Sequence, residues 1–190
     1  MRVVSMDQLQ RVFASLPDNP RVVASGNFAT PHVLLNALDA VVPEYRLHML
    51  NAQKPIPDRD GITYETAFVG PGMRGSSRLR YIPCRLSLVP VLFRDHYRPD
   101  VVLVHASARR HDTVSMGTEV NVLPAAIEAV HERGGLVVVQ SNERMPYTYG
   151  DAQLYEHEID YLVEVDEVVA THEPGEPDET SRQIGELIAA

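Results

Sequence analysis

The chain has 190 residues, enough for one domain with a short extension whose core needs no disulfide bond or structural metal. Its net charge of −9, from 17 basic and 26 acidic residues, argues against a surface for nucleic acid or an anionic membrane. A single cysteine, Cys84, excludes a disulfide framework and a thiolate-cluster metal site. No apolar run suits a signal peptide or a membrane span, so we expect a cytoplasmic protein.

The predicted elements begin with an amphipathic helix over residues 5–15, capped by Ser5 or Asp7. Its apolar positions have the spacing of one helix face: Met6, Leu9, Val12, Phe13 and Leu16. An apolar run at residues 21–25 predicts a strand that ends at a glycine turn. A second helix is expected over residues 33–41, with Thr30 as its N-cap and Pro31 at its first position.

Apolar runs and helical patterns continue to alternate along the rest of the chain. Strands are predicted at residues 45–50, 62–69, 100–104, 136–139 and 161–165, and helices at residues 87–93 and 120–133. An acidic segment with prolines, residues 173–178, is predicted to be a linker before a last helix over residues 180–190. This alternation is typical of an α/β fold with a mostly parallel sheet flanked by helices.

Two glycine-containing loops follow predicted strands and are candidate binding loops. Residues 25–31 form a strand-to-helix turn, where backbone N–H groups are suited to an anion. In residues 70–77, glycine permits close approach of a ligand, and Arg74 and Arg78 are suited to phosphate oxygens. The loop at residues 25–31 has no dinucleotide or phosphate-loop fingerprint, and a purely structural turn is the alternative for both loops.

A polar loop at residues 141–151 directly follows the strand at residues 136–139. Ligands of parallel α/β sheets bind beyond the carboxyl ends of the strands, so this loop is a third candidate. The alternative is a hydrogen-bonded loop that closes the end of the sheet. His105 and His111 lack a third ligand nearby, and no metal is expected. The residues alone therefore predict an α/β domain that binds a phosphorylated or anionic ligand.

Three segments in this order and spacing resemble those of a known family. They are residues 25–31 (Ser-Gly-x-x-x-Thr-Pro), residues 81–93 (Tyr-Ile-Pro, then Leu-Ser, Pro and Phe) and residues 142–151 (Asn-x-x-Met-Pro-x-Thr-x-Gly-Asp). Together they resemble the amino-terminal domain of the acetyl-CoA hydrolase/transferase family. That family includes class I CoA-transferases such as 4-hydroxybutyrate and succinate:acetate CoA-transferase. The resemblance covers residues 10–170.

The resemblance implies two similar α/β domains, related to glucosamine-6-phosphate deaminase and ribose-5-phosphate isomerase, with CoA thioester chemistry between them. A glutamate carboxylate attacks the acyl-CoA and forms an anhydride, then a glutamyl-CoA thioester that the acceptor acid resolves. Backbone N–H groups stabilise the oxyanions. In the family this glutamate belongs to the second domain. We therefore expect no catalytic residue in this chain and a structural role for Glu119 and Glu143.

By the same resemblance, residues 1–172 form the amino-terminal domain, and residues 173–190 form a linker and the first helix toward a second domain. The expected ligands are coenzyme A as a thioester and a small carboxylic acid, without a metal. The expected partner is a second catalytic domain or subunit within an oligomer. The residues expected to line the CoA cleft are Gly26, Thr30, Gly70, Gly72, Asn142, Met145, Thr148 and Gly150.

The sequence also departs from the family pattern, and other functions stay open. Residues 107–112 read Ser-Ala-Arg-Arg-His-Asp, where a shorter, acidic, glycine-containing turn is common. The favoured function is half of a CoA-transferase. The alternatives are half of an acyl-CoA hydrolase and a non-catalytic module that binds acyl-CoA or another anion. A sugar-phosphate isomerase or deaminase would need an acid–base pair, for which His111 and Asp112 are the adjacent candidates.

Overall fold

The computed structural model describes residues 1–171 and 175–189, and its centre is an eight-stranded sheet in which every pair of strands is parallel. Along the chain the elements are β1 (Arg2–Val3), α1 (Met6–Phe13), β2 (Arg21–Ala24), α2 (His32–Asp39), β3 (Tyr45–His48), β4 (Ile62–Thr66), β5 (Leu79–Tyr81), α3 (Val89–Asp95), β6 (Val101–Ser107), β7 (Thr113–Ser115), α4 (Leu123–His131), β8 (Leu136–Asn142), β9 (Gln153–Tyr155), β10 (Tyr161–Val165) and α5 (Glu179–Ala189). The order across the sheet is β1-β10-β8-β6-β2-β3-β4-β5, and β7 and β9 form a separate antiparallel pair. The predicted α/β fold with a mostly parallel sheet is confirmed.

Helices cover both faces of the sheet and so create two hydrophobic layers. On one face α1 and α2 contribute Leu9, Phe13, Leu34, Leu35 and Leu38. On the other face α3 and α4 contribute Val89, Phe93, Ala126, Ile127 and Val130. The central strand β6 supplies Leu103 to the first layer and Val104 to the second, and every residue of β6 is buried. A continuous apolar run is what a strand covered on both faces requires.

Four strands missing from the sequence-based prediction are short. Strands β1, β5, β7 and β9 have two or three residues each, too few for an alternating pattern. At α1, Ser5 is the N-cap in a capping box with Gln8. The prediction of Thr30 as the N-cap of α2 is wrong, because Pro31 occupies that position and the Thr30 hydroxyl donates to the Asn27 carbonyl at 2.9 Å.

The C-terminal part of the predictions is only partly covered by the described residues. Residues 173 and 174 of the predicted linker, and Ala190 of the predicted last helix, lie outside them. Residues 175–178 have no regular structure, and α5 begins one residue before the predicted start. None of the helices formed by the described residues is long and apolar enough to cross a bilayer.

The register of the sheet places the strand ends that matter for function along one edge. Ser107 pairs with Asn142, Asn142 with Val165, and His48 with Glu65, so the carboxyl ends of neighbouring strands are aligned. We call this the carboxyl edge. The loops that follow β2, β3, β4, β6, β8 and β10 all leave the sheet there, which is the usual place for a ligand in parallel α/β proteins.

A buried ion pair between β2 and β4 stabilises the sheet. Nε and Nη2 of Arg21 donate to the two carboxylate oxygens of Glu65 at 2.7 and 3.2 Å. The Arg21 guanidinium also lies 5.0 Å from the centre of the Tyr97 ring. The side chains of Arg21 and Glu65 are only 12% and 2% exposed, so water cannot replace either partner.

We expect Glu65→Ala to lower the free energy of unfolding by about 3–5 kcal/mol, because it leaves the Arg21 charge buried without a partner. The measurement is urea unfolding followed by circular dichroism. The matched control is Asp95→Ala, which breaks the solvent-exposed Arg94–Asp95 pair and should leave the unfolding midpoint unchanged. Equal losses in the two variants would contradict this role for the buried pair.

Candidate functional site

Hydrogen bonds between side chains connect three loops at the carboxyl edge. Asn27, in the loop after β2, donates through Nδ2 to Oε2 of Glu119 at 2.9 Å. Nδ2 of Asn51, in the loop after β3, donates to Oδ1 of Asn27, and Nδ2 of Asn121 donates to Oε1 of Glu119. Asn27 and Asn51 have φ angles of 46° and 47°, the left-handed conformation that asparagine tolerates better than most residues. We call these four residues the Glu119 network.

Glu119 is the centre of this network. Its side chain is buried, and this burial raises the pKa of the carboxyl group, while the hydrogen bond from Asn27 lowers it. Each carboxylate oxygen accepts an amide N–H from the chain itself. The geometry therefore assigns the Glu119 carboxylate to holding loops together.

Asn142, the last residue of β8, organises a second part of the edge. Its Nδ2 donates to the Glu167 carbonyl at 2.8 Å and lies 3.1 Å from Nε2 of His105. Its Oδ1 accepts the backbone N–H groups of Arg144 and Glu167 at 3.1 and 3.3 Å. Asn142 is fully buried, so its side chain fixes the start of the loop after β8 and the segment after β10 rather than facing solvent.

His105 and Gln140 extend these contacts toward α2. Burial lowers the pKa of His105 to about 4; the nearby Thr30 backbone opposes this shift and His32 adds to it. A neutral His105 accepts the Asn142 amide at Nε2. Gln140 accepts the backbone N–H of Val33, in the first turn of α2, at 3.1 Å and donates to the Glu167 carboxylate at 2.9 Å.

The rest of the loop after β8 packs on residues 115–118. The Ser115 hydroxyl donates to the Thr148 carbonyl at 2.8 Å and accepts the N–H of Thr148 at 3.0 Å. Oγ1 of Thr148 donates to the Gly117 carbonyl at 2.8 Å. Met145 is buried against Gly117, where a Cβ would lie 2.3 Å from the Met145 sulfur. Gly150 has a φ of 77° with open space around it.

The residues predicted to line a cleft form two groups, apart from Thr30, whose hydroxyl donates to the Asn27 carbonyl. Gly26, Gly70 and Gly72 lie against residues 50–53, and a Cβ on Gly26 would meet the Leu50 carbonyl oxygen at 1.9 Å. These glycines allow backbone to pack on backbone, which accounts for them without a ligand. The second group is Asn142, Met145, Thr148 and Gly150. The hydrogen bond between Asn27 and Glu119 joins the loop that contains Gly26 to the segment after β7, and Thr148 of the second group contacts Ser115 and Gly117 at the start of that segment.

Sequence reasoning missed the polar residues that connect these loops: Asn27, Asn51, Asn121 and Gln140. Three of them had a usable signal. Asn27 lies inside a predicted loop, while Asn51 and Gln140 directly follow predicted strands, where the edge of a parallel sheet collects polar groups. Their contacts depend on residues 24 to 107 positions away in sequence, and spacing does not show such contacts.

Two grooves lie away from the carboxyl edge. One of about 380 Å³ is lined by Phe13, Pro17 and Pro43 near the amino-terminal ends of the strands, and one of about 440 Å³ lies between α4 and β9. Neither groove contains the Glu119 network or Asn142. Volume alone is therefore a poor guide here, and we place the candidate site at the edge that gathers the polar loops. Among the described residues, no three His, Cys, Asp or Glu side chains are arranged to hold a metal ion.

The buried His105 predicts a loss of stability in acid. Its pKa is about 4 in the folded chain, below the 6.5 of a solvent-exposed histidine, so the unfolded chain binds the extra proton between these pH values. The free energy of unfolding should fall as the pH is lowered from 6.5 toward 4, and His105→Gln should reduce that slope by up to about 1.4 kcal/mol per pH unit. Chemical unfolding at several pH values measures it.

His48 also contributes to the dependence of the unfolding free energy on pH, since burial and Arg21 lower its pKa to about 3. The His105→Gln variant should therefore become less acid-sensitive without becoming insensitive. Above pH 7.5 the slopes of variant and parent should agree. Identical slopes between pH 6.5 and 4 would show that His105 is protonated in the folded chain.

Comparisons with known proteins agree with the fold and with the family resemblance. A family model described as the acetyl-CoA hydrolase/transferase N-terminal domain matches residues 57–173. A succinyl-CoA:acetate/propanoyl-CoA:succinate CoA transferase of Fasciola hepatica is 29% identical over 93% of this chain and 39% of its own length. A 4-hydroxybutyrate coenzyme A transferase of Clostridium kluyveri is 27% identical over 95% of this chain and 44% of its own length.

Solved structures show the same architecture. RipA from Yersinia pestis superposes with a TM-score of 0.85 at 17% identity, over 99% of this chain and 48% of that one. A 4-hydroxybutyrate CoA-transferase from Porphyromonas gingivalis gives a TM-score of 0.68 at 25% identity, over 92% of this chain and 42% of that one. The chain thus spans less than half the length of these relatives. Since a family model of the N-terminal domain matches residues 57–173, more than half of the chain, the chain belongs to the acetyl-CoA hydrolase/transferase family.

Proposed function

We propose that this chain is the amino-terminal half of a CoA-transferase, which moves CoA between an acyl-CoA and a small carboxylic acid. The observation that carries the proposal is the extent of the match. Two relatives named as CoA transferases match 93% and 95% of this chain, and the chain corresponds to 39% and 44% of their lengths. In this proposal, coenzyme A binds as a thioester and no metal takes part.

The hydrogen bonding of Glu119 supports an external nucleophile. Glu119 accepts side-chain N–H groups at both oxygens, while Glu167 accepts the amide of Gln140 at Oε2 and Asp166 pairs with Arg144. A carboxylate that attacks a thioester needs an oxygen free to approach the carbonyl carbon. We therefore propose that the nucleophilic glutamate comes from a second domain or a partner chain, and that the carboxyl edge forms one wall of the cleft.

Helix α5 supplies a candidate contact for that second domain. Its apolar residues Ile184, Leu187 and Ile188 share one side of the helix and are 53%, 81% and 80% exposed. An apolar stripe of this kind normally packs against another surface. We propose that residues 1–172 form one domain and that residues 173–190 lead into the neighbouring one.

Two other functions share this geometry. If water replaces the acceptor acid, the same assembly is an acyl-CoA hydrolase. If no second domain joins it, the chain is a module that binds acyl-CoA or another anion without turnover, and the complete internal hydrogen bonding of Glu119 is compatible with that role. Assembly and acyl exchange distinguish the three.

The first test is the native mass of the complex recovered through this chain from its own cells, with every co-purifying polypeptide identified. We expect a complex that contains a second CoA-transferase domain, on a partner chain or on a longer form of this chain. The complex should exchange CoA between propanoyl-CoA, succinyl-CoA or acetyl-CoA and a carboxylate such as acetate. Release of free CoA without exchange would favour the hydrolase, and a lone species of 21.2 kDa would contradict the catalytic proposal.

Leu187→Asp should weaken this assembly and lower its exchange activity at least tenfold, because it places a charge in the apolar stripe of α5. Arg182→Asp is the matched control, since it puts the same side chain on the opposite side of α5 and should leave the complex intact. Size-exclusion chromatography with light scattering and the exchange assay measure both effects. Equal activity of the two variants would exclude α5 as a domain contact.

A further inference from the structure

A cluster of one arginine and two tyrosines lies beyond the ends of the central strands β6 and β8. The guanidinium of Arg110 lies 4.5 Å from the centre of the Tyr147 ring. Its Nη1 donates to the Tyr149 hydroxyl at 3.3 Å, and the two tyrosine rings meet edge to face with centroids 5.1 Å apart. We call these three residues the Arg110 cluster. Arg110 belongs to the segment at residues 107–112 that departs from the family pattern, and no residue of the cluster is part of the Glu119 network.

The cluster is held in place by its own loop. Arg110 and Thr113 exchange backbone hydrogen bonds of 2.8 and 3.1 Å across a tight turn, in which His111 has a φ of 55°. The Tyr147 hydroxyl lies 2.7 Å from Oγ1 of Thr113 and accepts the side-chain amide of Gln153 at 3.0 Å. Because the ring beneath the guanidinium is fixed, the cation is positioned before any ligand arrives.

The charge of Arg110 is not neutralised by a carboxylate. Its neighbour Arg109 forms a 2.7 Å ion pair with Glu156, but Arg110 makes no salt bridge within residues 1–171 and 175–189. A guanidinium that lies over an aromatic ring keeps N–H groups at its edge for phosphate oxygens. Tyr149 is 72% exposed, so much of its ring is open to a flat partner. Arg110 therefore places a positive charge beside an exposed aromatic ring in a chain with a net charge of −9.

We propose that the Arg110 cluster binds the 3′-phosphorylated adenine nucleotide of coenzyme A, with Arg110 on a phosphate and the Tyr149 ring against the adenine. This inference rests on the proposed function, because the thioester of the same molecule would lie at the carboxyl edge. The cluster and the edge are joined by one loop. Tyr147 and Tyr149 flank Thr148, whose hydrogen bonds with Ser115 and Gly117 fix it beside the loop that carries Glu119.

The test is isothermal titration calorimetry of the full chain with adenosine 3′,5′-bisphosphate, coenzyme A and pantetheine. Arg110→Gln and Tyr149→Ala should each weaken the binding of the bisphosphate and of coenzyme A about tenfold, through loss of a charge-assisted hydrogen bond or of base stacking. Pantetheine has no nucleotide, so its binding should not change. Arg109→Gln is the matched control and should change each affinity less than twofold, because Glu156 already engages that side chain.

Unchanged bisphosphate binding in Arg110→Gln and Tyr149→Ala, an equal loss in Arg109→Gln, or no binding to the parent chain would overturn the inference. A loss of complex formation without a loss of nucleotide affinity would also overturn it and would make the cluster a protein contact. The exchange assay keeps the two proposals apart. If the assembly exchanges CoA but the cluster variants keep their acyl-CoA KM, only the nucleotide site fails. If the bisphosphate binds as expected but no assembly exchanges CoA, only the proposed function fails.

Discussion

Parallel pairing of the strands is the constraint on which the rest of this structure depends. Each parallel connection must cross a face of the sheet before the chain returns, so the helices cover both faces and every loop that follows a strand leaves at the same end. Because both faces of the sheet are buried, β6 and β8 consist mainly of apolar residues. Polar side chains occur where these strands end, at Ser107 and Asn142.

Polar groups buried at that end need partners inside the chain, and this requirement shapes the loops. Asn142 forms hydrogen bonds with the backbone of two segments at once. Glu119 accepts the side-chain amides of Asn27 and of Asn121, the second of which lies in its own loop. Such networks stabilise a single arrangement only when every member is paired. The result is a wall whose shape is set before a ligand or a second domain is present, while both carboxylate oxygens of Glu119 already accept hydrogen bonds.

The fold could be predicted from sequence because its evidence is local. The apolar runs that became β2, β6, β8 and β10 and the periodicity of α1 and α4 require only neighbouring residues. The three resembling segments also identified the family. The site was less accessible: Gly26, which was predicted to line a cleft, packs on the backbone of Leu50, and Asn27 contacts Glu119 across 92 positions. Those contacts exist only once the sheet has formed. The prediction of Thr30 as the N-cap of α2 was wrong because the neighbouring Pro31 occupies that position.

The outer strands of the sheet carry a consequence for how the protein behaves at high concentration. β1 has two residues and β5 has three, and both are largely exposed. A long, unpaired outer strand offers a row of backbone donors and acceptors to another molecule, and this is a common route to fibrous aggregates. Here that row is too short to template a neighbour. Self-association through strand pairing is therefore disfavoured. We expect this molecule to contact its partners through side chains rather than through the backbone of its outer strands.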